Sequence, residues 1–193
     1  MTTLIFNKPY GVLSQFSDKS DKPRPTLADY IDIPAVYPAG RLDYDSEGLL
    51  ILTSQGKLQA QISSPRYKWP KQYWIQVEGI MDAAAVTALA TGVELKDGVT
   101  LPTEVATIAS PALWPRQPPI RYRAAIPTSW CQLTLREGRN RQARRMTAAV
   151  GFPTLRLVRV AMGPIALNLM QPSLAPGAWQ EIDEAPLWRY REC

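Results

Sequence analysis

Histidine is missing from all 193 residues, and cysteine occurs only at positions 131 and 193. Without histidine there is no imidazole proton shuttle and no Ser-His-Asp or Cys-His nucleophile. Two distant cysteines with no CxxC exclude a disulfide framework and a zinc finger. Acid–base chemistry therefore falls to Asp, Glu, Tyr, Lys or Cys. The N-terminus, MTTLIFNKPYG, lacks the long apolar stretch after basic residues that marks a signal peptide, so the expected location is the cytoplasm. Residues 160–180 carry no formal charge, but Gly163, Pro164, Pro172, Pro176 and Gly177 interrupt them, which reads as turns and short strands rather than a membrane span. Internal repeats and low-complexity tails are also missing.

The chain is long enough for one domain that buries roughly 70% of its extended surface. We expect a single domain over 1–193, in two lobes that meet near residue 65. The net charge of +5 is unevenly spread: Arg121 to Arg159 holds nine arginines, no lysine and one acid, Glu137, a local +8, while the remainder sums to −3. Such clustering is either a solvated basic surface or the footprint of a phosphate-bearing partner. Arginine in place of lysine favours nucleic acid, because a guanidinium forks onto phosphate and stacks on bases.

Leu4 to Phe6 reads as a strand, and Val12 to Gln15, after the Asn7–Gly11 turn, as its hairpin return. Thr26 caps a short helix from Leu27 to Ile31. Leu49, Leu50, Ile51 and Leu52 form an apolar run typical of a strand packed on both faces, and a helix follows from Lys57 to Ser63. Lys71 to Val77 alternates, placing Lys71, Tyr73, Ile75 and Val77 on one face. Asp82 caps an alanine-rich helix that ends at Gly92, and Asp97-Gly98 turns a short hairpin. The five prolines between Ser110 and Thr128 predict an irregular excursion. Trp130 to Leu135 is a strand. Arg141 to Val150 is a helix with Asn140 as N-cap, Ala143, Met146 and Val150 facing the core, and Arg141, Arg144 and Arg145 together on the adjoining flank. Leu155 to Met162 is a further strand. Strands outnumber helices and tight turns join several of them, so the fold class is α+β, with a mixed, mostly antiparallel sheet, flanking helices and a central cleft.

Asp43 lies in GRLDYDSEGLLILTSQG, Gly40 to Gly56, between a Gly-Arg-Leu turn and the apolar strand. It is either a turn residue or a reactive carboxylate held at a cleft by a rigid scaffold. Arg41 is its local counter-charge, and an arginine of EGRNRQARRM could hold it ionised. Asp45 and Glu47 read as turn and cap residues. The Asp43, Asp45, Glu47, Gly48 spacing superficially matches a calcium loop, but position twelve is Ser54 and the flanks are not helices, so no metal is expected.

NKPYGV at Asn7 to Val12, the Gly40–Gly56 run, KQYWIQV at Lys71 to Val77 and EGRNRQARRMTAAVGFPTLRLVRVAMGPI at Glu137 to Ile165 together resemble the RsuA-type family of ribosomal pseudouridine synthases. The family usually carries an N-terminal S4 RNA-binding domain; this chain starts almost at NKPYG, which resembles an S4-less branch and points to 23S rRNA. The resemblance implies the pseudouridine synthase fold and isomerisation of a flipped-out uridine in rRNA. Neither cofactor nor metal is implied, and the enzyme would work as a monomer. It also implies that Asp43 is the catalytic aspartate, that Tyr73 stacks on the base and that Arg144 pairs with the carboxylate. Leu157 would form the apolar pocket wall, and Arg41, Lys71, Arg139, Arg141 and Arg145 would bind substrate. Gly151-Phe152-Pro153 stands where the family often has GHP, so no step can use that histidine. A non-catalytic rRNA-binding or assembly protein would account for the basic segment equally well, but not for a carboxylate among arginines.

Overall fold

The computed structural model describes residues 1–120, 125–167 and 173–190. Cys193, Arg121, Arg123 and part of the uncharged 160–180 stretch lie outside them. The first strand, β1 (Thr3–Lys8), is buried along its whole length. It is followed by a single 3-10 turn at Leu27–Asp29, where Thr26 forms a capping box with Asp29. The two-residue β2 (Tyr37–Pro38) and β3 (Glu47–Thr53) come next. Every residue of β3 is buried, as its apolar run predicts for a strand covered on both faces. Helix α1 (Gly56–Ser63) buries Leu58 and Ile62, four apart on one face.

Strand β4 (Lys71–Glu78) leads to α2 (Ala83–Thr91), whose Ala85 N–H is capped by the Asp82 carboxylate at 2.8 Å. A small hairpin, β5 (Glu94–Leu95) with β6 (Gly98–Val99), precedes β7 (Glu104–Ile108) and β8 (Thr128–Leu135). Helix α3 (Gln142–Ala149), β9 (Thr154–Met162), β10 (Ile165–Ala166), β11 (Trp179–Glu181) and α4 (Ala185–Arg189) complete the chain.

Among the described residues, nine strands form one sheet in the order β11-β1-β3-β9-β4-β8-β7, with β2 added to β3 and β10 to β9. Every pairing is antiparallel except β3 with β9. The mixed, mostly antiparallel α+β sheet expected from the sequence is thus the architecture. The expected Leu27–Ile31 helix is only the 3-10 turn Leu27–Asp29, and Val12 to Gln15 forms no strand: β1 pairs with β3 and β11 instead of with a hairpin return. Its all-buried pattern explains this, because a strand covered on both faces belongs inside a sheet.

The parallel seam is narrow, with only Glu47 opposite Val158 and Gly48 opposite Arg159. Gly48 has φ +102°, and a Cβ there would sit 2.3 Å from the Arg159 carbonyl oxygen, so no other residue allows this approach. To one side of the seam Leu4, Phe6, Leu27, Leu50 and Leu52 pack on one face of β1–β3, with Ile5, Leu49, Ile51, Leu58 and Trp69 on the other. On the opposite side Ile75, Val77, Leu89, Leu133 and Met146 join β4 and β8 to α2 and α3. The cleft opens where these two halves meet.

Candidate active site

The cleft has a volume of about 430 Å³, and Arg41, Asp43, Lys71, Tyr73, Arg139, Arg141, Arg144 and Leu157 all line it. Its floor comes from two adjacent strands. Lys71 and Tyr73 stand on β4, Leu157 and Arg159 on β9, and Tyr73 is directly opposite Arg159 in the ladder. Cross-strand partners share a face, so the phenol ring and the guanidinium lie side by side.

One wall is the turn from Gly40 to Ser46. Ser14 fixes it from one side, its hydroxyl donating to the Leu42 carbonyl at 2.8 Å and accepting from the Leu42 N–H at 3.1 Å. Arg159 fixes it from beneath, donating through Nε to Leu49 O at 2.8 Å and through Nη1 to Arg41 O at 3.4 Å. Asp43 is a turn residue as well as a cleft residue, since its carbonyl accepts the Ser46 N–H at 3.1 Å while its carboxylate remains 36% exposed. A turn thus carries the carboxylate to the edge of the cleft.

The opposite wall is the start of α3. Asn140 does not cap this helix: Arg141 holds the N-cap position in the left-handed region, φ 47°. That puts Arg141 at the mouth of the cleft, where it donates to both Asp45 carboxylate oxygens at 2.8 Å and approaches Asp43 Oδ2 to 3.7 Å. Arg144 donates to the Asp45 carbonyl at 2.6 Å and lies 3.5 Å from its carboxylate. Asp45, read from sequence as a turn residue, is the anchor for both arginines, and among the described residues Arg141 is the arginine that comes within 4 Å of the Asp43 carboxylate. Burial pushes the Asp45 carboxyl up, but the Arg141 hydrogen bonds and the two guanidinium charges outweigh it and leave it below the usual range.

Other predicted contacts are redistributed. Arg145 lies outside the cleft and forks onto Asp97 at 2.8 and 3.0 Å. One residue of helix rotation separates it from Arg144, enough to turn it from the cleft to the β5–β6 hairpin. Arg139 lines the cleft, but its donors go to Glu137 and to the carbonyls of Gly98 and Val99. The Arg41 guanidinium has no hydrogen bond or ion pair among the described residues, so it is not the counter-charge of Asp43.

Several residues escaped the sequence reading. Glu47 is no cap: it is buried, and Arg156 donates to both its oxygens at 2.9 and 2.8 Å while Trp114 Nε1 donates at 2.9 Å. Arg159 is buried, and its Nη2 has no partner among the described residues. The period-two alternation that places Leu157 and Arg159 on one face was a usable signal for it. Lys8 of NKPYG is fully buried and donates to the Pro9 and Val12 carbonyls at 2.9 and 2.7 Å. Burial pushes its ammonium down to about 7 against the pull of Glu47 and Asp45. Burial, aided by Arg159, likewise lowers Lys71 to about 8. The floor thus places two cations side by side, with an aromatic face and an apolar wall around them.

No described helix is long and apolar enough to cross a membrane. A family model described as RNA pseudouridylate synthase matches residues 2–149. A protein of Vibrio vulnificus named ribosomal large subunit pseudouridine synthase E is 58% identical over 179 residues, covering 93% of this chain and 74% of the relative. Its namesake in Xanthomonas campestris is 54% identical over 183 residues, covering 94% and 95%. A crystal structure of a pseudouridylate synthase superposes with a TM-score of 0.78 at 25% identity, covering 98% of this chain and 73% of the other.

Proposed function

The chain belongs to the RNA pseudouridylate synthase family, and we propose that it converts one uridine of large-subunit (23S) ribosomal RNA to pseudouridine, as a monomer in the cytoplasm. The observation that carries the site assignment is Asp43: a carboxylate with no hydrogen bond of its own among the described residues, 3.7 Å from Arg141, on the wall of a cleft floored by Tyr73 and Leu157. The relatives named for the large ribosomal subunit support the choice of RNA.

In this reading the target uridine leaves its stack at a cost of a few kcal/mol, and its base lies against Tyr73 with Leu157 excluding water. Arg141 and Arg144 brace the carboxylate wall, both held in place by Asp45. Whether Asp43 attacks C1′, attacks C6 or removes a sugar proton, breaking the N1–C1′ bond leaves its electron pair on the uracil. Lys71 and Arg159 stand where that negative charge develops, and such preorganised cations are most effective in an enclosed site. The freed base then turns and C5 bonds to C1′ as Asp43 gives up its bond to the nucleotide or returns the proton it took; the C5 proton is lost and N1 takes up a proton from water in its place. Atoms and electrons balance within the nucleotide, so the reaction consumes no co-substrate.

The test is Asp43→Asn with unmodified large-subunit rRNA tritiated at uridine C5. The variant should bind RNA within about threefold of wild type, since it loses no phosphate contact, and release no tritium. Normal tritium release by Asp43→Asn would remove the aspartate from the mechanism. Binding by the wild type without any pseudouridine, mapped by carbodiimide-blocked reverse transcription, would leave a non-catalytic rRNA-binding protein.

A further inference from the structure

Beside the cleft lies a second hollow of about 430 Å³. Ser14, Gln15, Gly40 and Arg41 line both hollows, so the wall between them is the single Gly40–Arg41 turn and the Ser14 segment stitched to it. The far side is formed by Phe16, Tyr37, Pro38 and Gln59.

Isolated exposed aromatics are ordinary on protein surfaces. Tyr37 differs in its setting. It is 57% exposed, yet its backbone is fixed in the sheet, with Tyr37 opposite Thr53 and Pro38 opposite Leu52. The next residue donates from Ala39 N to Ile51 O at 2.8 Å, and the Gln59 amide donates to Pro38 O at 3.0 Å. An aromatic ring on an immobile backbone, next to a concavity, is a stacking platform that loses little entropy when a base covers it. On the ridge between the hollows stands Arg41, whose guanidinium is uncommitted among the described residues, whereas Arg139, Arg141 and Arg144 are all engaged with protein acceptors.

We propose that this second hollow receives the base next to the target uridine in the same RNA strand, stacked on Tyr37, while Arg41 holds the phosphate that joins the two nucleotides. The proposal rests on the rRNA-modifying reading above. A strand that sends one base into the cleft must cross the Gly40–Arg41 ridge, and its neighbouring base then meets the hollow directly. Stacking there offsets part of the cost of extruding the target, because a base laid on an aromatic face regains the contact it loses in the strand.

The experiment is a double-mutant cycle on an rRNA fragment that spans the modified uridine, with an abasic nucleotide placed in turn at the 5′ and 3′ neighbours. Dissociation constants are measured by filter retention. Tyr37→Ala should weaken binding of the intact fragment about tenfold, within the range of a single lost base stack, and Tyr37→Phe should restore most of it. At one of the two positions the abasic site should cost the wild type the same factor and cost Tyr37→Ala nothing further. Unchanged binding by Tyr37→Ala, or factors that multiply independently at both positions, would overturn the proposal. The cycle reads affinity alone, so a wild type that binds but forms no pseudouridine would count against the catalytic reading and leave the hollow to be judged by the cycle.

Discussion

The Glu47–Arg156 pair is the most consequential contact that lies outside the reacting groups, and its removal should be felt in both stability and turnover. Arg156 on β9 forks onto Glu47 on β3 at 2.9 and 2.8 Å, and both side chains are more than nine-tenths buried. Arg156 also donates to the Trp114 carbonyl at 2.9 Å, and Trp114 returns its indole N–H to Glu47. These contacts cross the narrow parallel seam on which the two cleft-forming halves meet. Glu47→Leu leaves a guanidinium buried and unpaired, which costs about 4 kcal/mol and in a chain of this size lowers Tm by about 8–16 °C. In Glu47→Leu/Arg156→Leu no charge is stranded, and the remaining loss is that of the unpaired Trp114 groups, about 1–2 kcal/mol. Urea unfolding followed by tryptophan fluorescence measures the cycle. The kcat of Glu47→Leu should fall even where the protein is fully folded, because Asp43 and Leu157 are carried by opposite sides of the seam. A double variant whose loss equals the sum of the two single losses would refute the coupling, and so would a Glu47→Leu loss below about 1 kcal/mol, the size of an exposed pair.

Lys71 should set the alkaline limit of activity. Its ammonium titrates near 8 in the free protein, so kcat/KM, which reports free-enzyme groups, should fall as pH rises through that value. Lys71→Arg should shift or abolish that limb, and an unaltered limb would assign it to another group. Lys8 makes stability depend on pH in the opposite sense. Its folded value of about 7 lies below its ordinary 10.5, so the unfolded chain binds the extra proton between those values and raising the pH favours the fold. The stability of wild type relative to Lys8→Met should therefore rise by up to about 2 kcal/mol between pH 7.5 and 9 in urea titrations, and a constant difference would show that Lys8 does not titrate there. Arg145→Ala should leave RNA affinity and its salt dependence within about twofold of wild type, because Asp97 already occupies the guanidinium. A shallower salt slope for that variant would return Arg145 to the RNA contact surface.

The strands were legible where one physical signal dominated. Leu49 to Leu52 announced a strand covered on both faces, and Lys71 to Val77 alternated visibly; both are strands of the sheet beneath the cleft. Partners across the sheet were not legible, since β1 could be recognised while its neighbours β3 and β11 lie far along the chain. The same distinction runs through the site. Residue types and short-range turns bring Asp43, Tyr73, Arg144 and Leu157 to the cleft as expected, but the pairing of charges depends on which acids the fold delivers from elsewhere. Asp45 captures Arg141 and Arg144, Glu47 captures Arg156, and Asp97 captures Arg145.

That redistribution changes what the arginine-rich stretch means. Counted along the sequence, residues 121–159 carry +8 and the rest of the chain −3, which suggests a basic face. In three dimensions acids of the net negative remainder fold onto that stretch, and Arg136, Arg139, Arg141, Arg144, Arg145 and Arg156 each have a carboxylate partner from it. A guanidinium already forked onto a carboxylate gains little by exchanging it for a phosphate. Among the described residues, the cleft-lining cations without a carboxylate partner are Arg41, on the ridge, and Lys71 and Arg159, on the floor, the last two donating only to backbone carbonyls. Arg141 and Arg144 brace the Asp43 and Asp45 wall, and in the proposed reading the three cations without a carboxylate partner are the ones that serve the nucleotide. Affinity for RNA should thus depend less on the charge total of the arginine stretch than on these three positions, two of which lie outside the segment that first drew attention to charge.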